Sequence, residues 1–120
     1  MIRLSITSDD DQGLHEKSIR EALDQSLQEQ RASLRKVLLI PPDLTRAHSG
    51  AGDITRMYYQ LLKDVCKVDI MPALGTHMPM THDEIDLFFG EEIPKESFIV
   101  HNWRTDVVKV GQVPGQYISE

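Results

Sequence analysis

The amino-acid sequence predicts an α/β fold: a small three-layer domain with a mostly parallel sheet and flanking helices. Short apolar runs typical of buried strands alternate along the chain with longer segments of helical periodicity. Helices between successive strands imply crossover connections, and therefore parallel neighbours. The chain has 120 residues, of which 40% are hydrophobic and 27% charged, as expected for one globular domain. We therefore expect residues 1–120 to form a single Rossmann-like α/β domain.

The N-terminal third of the chain predicts two strands with a helix between them. Apolar and polar residues alternate over Ile2–Ile6, which indicates a short half-buried strand. A helix is predicted from Glu16 to about Leu34, because apolar residues recur there at helical spacing. The run Val37–Ile40 has no polar face and ends at two prolines, which is typical of a central strand buried on both sides.

The middle of the chain repeats this alternation. Asp53 is suited to cap a helix that runs to about Val65. The apolar run Val68–Leu74 predicts a second buried strand. Two further strands are predicted, at Ser97–His101 and Val107–Val110.

A capping box marks the start of a third helix. The Thr81 hydroxyl and the Glu84 carboxylate have the spacing at which each accepts a hydrogen bond from a free backbone amide. The helix is predicted to run to Phe89, and Gly90 is the expected terminator.

Charge and cysteine usage exclude several classes of function. The formal net charge of −6 opposes binding to nucleic acid or to an anionic membrane surface. No run approaches the roughly 18 apolar residues of a membrane helix, and the N-terminus lacks the apolar stretch of a signal peptide. The lone Cys66 offers neither an internal disulfide nor a zinc-binding pair. A soluble cytoplasmic protein is expected, and no glycine-rich dinucleotide or phosphate loop is present.

Loops rich in ionisable residues follow the predicted strands. In a parallel sheet the carboxyl ends of the strands lie at one edge, where ligands bind. Three loops are therefore expected to converge. Their candidate site residues are Asp43, Thr45, Arg46 and His48 after the first central strand, Gly75, Thr76 and His77 after the second, and His101 after the third.

His77 is the best catalytic candidate from chemistry alone. Its imidazole can take and return a proton near neutral pH. Gly75 allows a sharp turn or a close backbone approach to a ligand. Free amides at the start of the helix after Thr81 would favour an anion at the same edge.

The roles of the other candidates stay open. Arg46 presents a planar fork suited to a carboxylate or phosphate, and Asp43 either orients it, accepts hydroxyl hydrogen bonds or braces the loop as a local ion pair. His48 lies in a glycine-bearing loop where it could touch a ligand. His101 is either a ligand contact or a packing residue. The histidine spacing shows no metal-binding pattern, so no metal ligand is predicted.

With these loops in view, the sequence resembles the N-terminal domain of the lactate racemase family. The stretches that carry the resemblance are Pro42–Arg46 and Ala73–Thr81, with Glu84 and Gly90 in register and a later strand and turn at Val110–Gly115. The similarity spans roughly residues 37–115, which is most of the chain.

The resemblance implies an enzyme that interconverts stereoisomers of a 2-hydroxy acid by proton abstraction and by hydride transfer to a nickel pincer nucleotide. It implies that His77 is one catalytic histidine, and that Asp43 and Arg46 contact cofactor and substrate. The family's residues that anchor the cofactor, and its second catalytic histidine, have no counterpart before Glu120. The resemblance therefore implies that this chain is the N-terminal fragment of a larger two-domain enzyme, inactive without its C-terminal domain.

Two alternatives remain at this stage. One is a binding module without catalysis, which would hold a small anion through Arg46 and the helix start at Thr81. The other is a metal-dependent hydrolase or lyase that uses Asp43, His77 and His101. The substrate also stays open among 2-hydroxy acids, because Ala47 replaces the proline that lactate-racemising family members commonly have after the arginine.

Overall fold

The computed structural model describes residues 4–9 and 11–118 and contains three α-helices around a short parallel sheet. The helices are α1 (Glu16–Leu27), α2 (Ala51–Leu62) and α3 (His82–Phe89), and the strands are β1 (Lys36–Leu39) and β2 (Lys67–Ile70). Short 3-10 turns occur at Arg31–Ser33, Leu44–Ser49, Lys95–Ser97 and Gly115–Ile118. None of the helices in this described part is long and apolar enough to cross a membrane.

The sheet consists of β1 and β2, which pair in parallel with α2 as the crossover between them. Val37 lies opposite Val68, and Leu39 lies opposite Ile70. Pairing continues beyond β1 and β2 as one bridge between Pro42 and Ala73. The parallel α/β arrangement predicted from the sequence is therefore present.

Two of the predicted flanking strands do not form ladders. Ser97–His101 is reduced to one parallel bridge between Phe98 and Ile70, whose carbonyl accepts a 2.7 Å hydrogen bond from the Ile99 amide. Val107–Val110 is unpaired and exposed, with Val110 97% exposed. The prediction of a strand at Val107–Val110 is wrong here, because β-branched residues favour a strand but need a neighbouring strand to pair with.

The predicted N-terminal strand is also absent from the described residues. The described part of that prediction, residues 4–6, forms no strand, and residues 2–3 lie outside the described residues.

The core lies on one side of the sheet, between the strands and the helices. Its most buried side chains come from α2, β2, α3 and the segment that follows α3: Leu62, Val68, Ile70, Ile85, Phe88, Phe89 and Ile93. Val37 and Leu39 pack against this cluster. Leu38 and Ile40, which alternate with them, are 45% and 59% exposed.

The prediction that β1 is buried on both sides is therefore wrong, and the described residues do not show the three-layer Rossmann-like arrangement. An apolar run indicates that a strand suits a two-sided sheet. A face of a strand is buried only where another element packs on it. The described residues pack on the face that carries Val37 and Leu39, and the face that carries Leu38 and Ile40 stays exposed.

The boundaries of α1 and α2 also differ from prediction. The first helix ends at Leu27 rather than Leu34, because the chain turns there and Leu34 packs against the core just ahead of β1. The second helix begins after Gly50, whose φ of 70° is left-handed, rather than at a cap on Asp53. Asp53 lies in the first turn of α2 and pairs with Arg56 at 2.8 Å.

The start of α3 agrees with prediction. Both hydrogen bonds of the capping box form: the Thr81 amide donates to Glu84 Oε2 at 2.8 Å, and the Glu84 amide donates to Thr81 Oγ1 at 3.2 Å. Gly90 ends the helix with a φ of 85°, a conformation that favours glycine.

Candidate functional site

The candidate site lies where the chain leaves β1 and β2 at the same edge of the sheet. The two segments stay together beyond the strands, since the Ala73 amide donates to the Pro41 carbonyl at 2.8 Å. Asp43 follows directly on the first segment. His77 follows the second after a turn at Gly75, whose φ is +59°. The parallel register thus brings residues 34 positions apart in sequence into contact.

Asp43 is the centre of this contact and is 6% exposed. Its Oδ1 accepts hydrogen bonds from the Thr45 amide at 3.1 Å and from the Thr45 hydroxyl at 2.5 Å. Its Oδ2 lies 2.6 Å from His77 Nδ1. The carboxylate therefore joins the two loops through different oxygens.

The surroundings of Asp43 act on its ionisation in opposite directions. Burial raises the pKa of the carboxyl, because a charge is poorly solvated there. Hydrogen bonds from Thr45 and His77 stabilise the charged form and outweigh burial, so the net pKa of Asp43 lies below its ordinary value. Asp43 is accordingly a carboxylate at neutral pH and accepts, rather than donates, its hydrogen bonds.

The His77 ring is fixed at one nitrogen and open at its outer side. The turn that carries it is closed by a 2.9 Å hydrogen bond from the His77 amide to the Leu74 carbonyl. The His77 side chain is 56% exposed although Nδ1 touches the buried carboxylate. A bound molecule can therefore reach the imidazole.

An open cleft of about 340 Å³ lies beside this pair. It is lined by Asp43, Leu44, Thr45, His77, Met78, Met80 and Glu84. Sequence reasoning did not select the four residues other than Asp43, Thr45 and His77. A signal for three of them was available, because Met78 and Met80 closely follow His77 in the sequence and Glu84 completes the capping box.

The other candidate residues of these loops lie outside the cleft lining. Arg46, His48, Gly75 and Thr76 are exposed. Arg46 interrupts the 3-10 turn with a φ of −107° and a ψ of 28°. Among the described residues Asp43 bonds to Thr45 and His77, so the alternative of a local Asp43–Arg46 ion pair is not what the structure shows.

His101 occupies a separate, apolar pocket. Its Nδ1 is buried and has no hydrogen-bond partner, while the residue as a whole is half-buried. The pocket is lined by Phe98, Ile85 and other apolar residues, and it shares Met80 with the cleft. The structure therefore places His101 near the candidate site, behind Met80, and not in the cleft itself.

The start of α3 already carries negative charge of its own. The Thr81 and Glu84 amides are used in the capping box, and Asp83 and Glu84 place two acids in the first turn. Acidic side chains already complement the positive end of the helix dipole. This arrangement disfavours the expected anion at this helix start.

Metal binding by this chain alone finds no support in the residues that the structure describes. They contain no group of three or more His, Cys, Asp or Glu side chains that could hold a metal ion. Asp43 and His77 form a pair, and His101 is turned into a different pocket.

Comparison with known proteins connects these loops to one family. The family described as lactate racemase N-terminal domain matches residues 4–117. A lactate racemase from Lactiplantibacillus plantarum is 32% identical over 94 residues, which is 73% of this chain and 22% of that protein. The chain thus spans about a fifth of the length of this curated relative. No solved structure matches the chain. The sequence-based assignment is confirmed: the chain belongs to the lactate racemase N-terminal domain family.

Proposed function

We propose that this chain supplies the N-terminal share of the active site of a 2-hydroxy-acid racemase or epimerase. The observation that carries the proposal is the Asp43–His77 pair, formed beyond the carboxyl ends of two parallel strands in a member of this family. The relative from L. plantarum is named a lactate racemase, which supports lactate or a close relative as substrate.

In this proposal His77 is the general base that takes the proton of the substrate hydroxyl. With Nδ1 on Asp43, the ring offers Nε2 on its exposed side, where it accepts the hydroxyl proton and later returns it. Arg46 is exposed nearby, and its guanidinium is suited to the substrate carboxylate. We also propose Thr45, His48, Gly75 and Thr76 as residues that surround the bound substrate and cofactor. His101 is kept as a more distant contributor, because it lies behind Met80 and outside the cleft.

We propose that the residues that anchor the nickel pincer nucleotide lie outside this chain, which contributes only contacts around the bound cofactor. The described residues have no metal-ligating group of three, so by themselves they do not fit the nickel centre. The proposal for this chain therefore covers proton transfer and anion binding, and we infer a larger two-domain enzyme whose C-terminal domain holds the cofactor. The isolated chain is expected to be inactive.

The two alternatives lack a specific observation in their favour. An anion-binding module would use Arg46 together with the start of α3, where Asp83 and Glu84 place two negative charges and the capping box binds the Thr81 and Glu84 amides. A hydrolase or lyase would bring Asp43, His77 and His101 to one metal ion, and His101 lies in another pocket. We therefore propose neither.

The test is racemisation by the full-length, cofactor-loaded enzyme, followed by chiral chromatography with lactate and several longer 2-hydroxy acids. His77→Ala should lower turnover by on the order of 10²–10⁴-fold, as expected for loss of a general base. His82→Ala is the matched control, because His82 is an exposed histidine on the first turn of α3 outside the cleft lining. Turnover of His77→Ala equal to that of His82→Ala would refute the proposal.

A second variant tests Arg46. Arg46→Ala should raise KM for the 2-hydroxy acid, because a carboxylate loses its bidentate partner. Arg104→Ala serves as the control, since Arg104 is an exposed arginine whose guanidinium lies 4.6 Å over the Trp103 ring. An unchanged KM in Arg46→Ala would remove Arg46 from the substrate site.

A further inference from the structure

The two oxygens of Asp43 make separate contacts. Oδ1 receives both Thr45 hydrogen bonds, which fix the carboxylate to its own loop. Oδ2 faces the other loop and contacts His77 Nδ1 at 2.6 Å. A carboxylate that served its own turn alone would need Oδ1 and leave Oδ2 to water.

This contact decides which nitrogen of His77 carries the proton. An ionised carboxylate has lone pairs and no hydrogen, so it can only accept. The neutral imidazole must then donate from Nδ1, which leaves the lone pair on Nε2. Nε2 is the nitrogen that a general base facing the open side of the ring would use.

We propose that Asp43 is a positioning residue that holds His77 in the Nδ1–H tautomer, with Nε2 free to take a proton from a ligand. Thr45 supports this role, since its hydroxyl and amide set the orientation of the carboxylate. All the residues of this arrangement belong to this chain. The tautomer follows from the contact with an ionised carboxylate, whereas its catalytic use rests on the proposed function.

Other charged groups near His77 do not replace Asp43. Glu84 of α3 lines the same cleft, but its carboxylate accepts from the Thr81 amide. Arg46, from the turn after Asp43, is exposed and lies outside the cleft lining. Asp43 is thus the acidic group that contacts the ring among the described residues.

The experiment is long-range ¹H–¹⁵N NMR of the histidine rings in this 120-residue chain, at a pH where the His77 imidazole is neutral. The two ring nitrogens then give distinct ¹⁵N shifts, and the protonated one identifies the tautomer. In the unmodified chain His77 should be mainly Nδ1–H. A mainly Nε2–H ring would overturn the proposal without any variant.

Three variants refine the test. Asp43→Asn keeps an oxygen for Thr45 and presents an amide donor to Nδ1, so it should move the proton to Nε2. Thr45→Val should weaken the Nδ1–H preference, and Thr45→Ser should keep it. Glu84→Gln is the control, because it removes one negative charge from the same cleft while glutamine still completes a capping box.

The outcomes separate this inference from the proposed function. If Asp43→Asn leaves the tautomer unchanged, or if Glu84→Gln changes it equally, Asp43 does not position His77. If the tautomer changes as expected, Asp43→Asn in the full-length enzyme should also lower kcat by on the order of 10²–10⁴-fold. A changed tautomer with unaltered kcat would leave the positioning intact and count against His77 as the catalytic base.

Discussion

Gly52 is a position where one added methyl group should destabilise the fold strongly. It lies in the first turn of α2 and is buried against α3. A methyl group placed there would lie 2.0 Å from the Phe88 carbonyl oxygen and 2.9 Å from Phe88 Cδ2. Ordinary contacts between nonbonded atoms are about 3.5 Å or longer, so the two helices would have to separate by roughly 1 Å or more.

Gly52→Ala should therefore lower the free energy of unfolding, whereas glycine-to-alanine changes within a helix usually raise it. Within a helix, alanine is ordinarily more stable than glycine by about 0.5–1 kcal/mol. Overpacking a core costs about 1–3 kcal/mol, and the upper end applies because the nearest atom belongs to the backbone and cannot rotate away. The net loss in free energy of unfolding should be about 2 kcal/mol or more.

Urea unfolding followed by Trp103 fluorescence and by circular dichroism measures this loss. With a typical slope for a small domain, a loss of 2 kcal/mol lowers the midpoint by about 1 M. Gly111→Ala is the control: a methyl group there has no atom within 4 Å, so the change should stay within about 0.5 kcal/mol. A Gly52→Ala protein as stable as the wild type would show that α2 and α3 do not pack as described.

Three further predictions follow from the core, the sheet and the cap. Phe89→Ala, at a fully buried position, should cost about 3–5 kcal/mol in urea unfolding, and a loss below 1 kcal/mol would contradict its central place. The hydrogen bond from Lys36 lowers the pKa of Asp69 below its unfolded value, so its stabilisation is complete above about pH 4 and is lost as the pH falls further. Asp69→Asn should therefore destabilise the chain more at about pH 6 than at about pH 2.5, and equal losses would refute the pairing. Thr81→Ala should cost about 1 kcal/mol, whereas Thr81→Ser should cost less; equal losses would mean that the hydroxyl does not cap α3.

Local patterns were sufficient where the cause of the structure is local. The capping box at Thr81 and the terminator Gly90 were predictable, because both depend on residues within one turn of the helix. The order α1, β1, α2, β2, α3 was also predictable, since helical periodicity marks the helices and short apolar runs between them mark the two buried strands. The family resemblance rested on short loop motifs, which the sequence displays directly.

Positions that depend on distant partners were not predictable in this way. Val107–Val110 has strand-forming residues but no strand beside it, and the second face of β1 at Leu38 remains exposed. For the same reason His101 turned out to lie behind Met80 in an apolar pocket, outside the cleft.

For the site itself, the sequence alone determined that Asp43, Thr45 and His77 follow parallel strands and so lie at one edge of the sheet. The tertiary structure decided what they do to one another. The register of β1 on β2 extends to the bridge between Pro42 and Ala73 and places Asp43 Oδ2 against His77 Nδ1. Arg46 lies outside the lining of the cleft beside this pair. A contact of 2.6 Å depends on the exact register and on the turn at Gly75, which only the folded chain fixes.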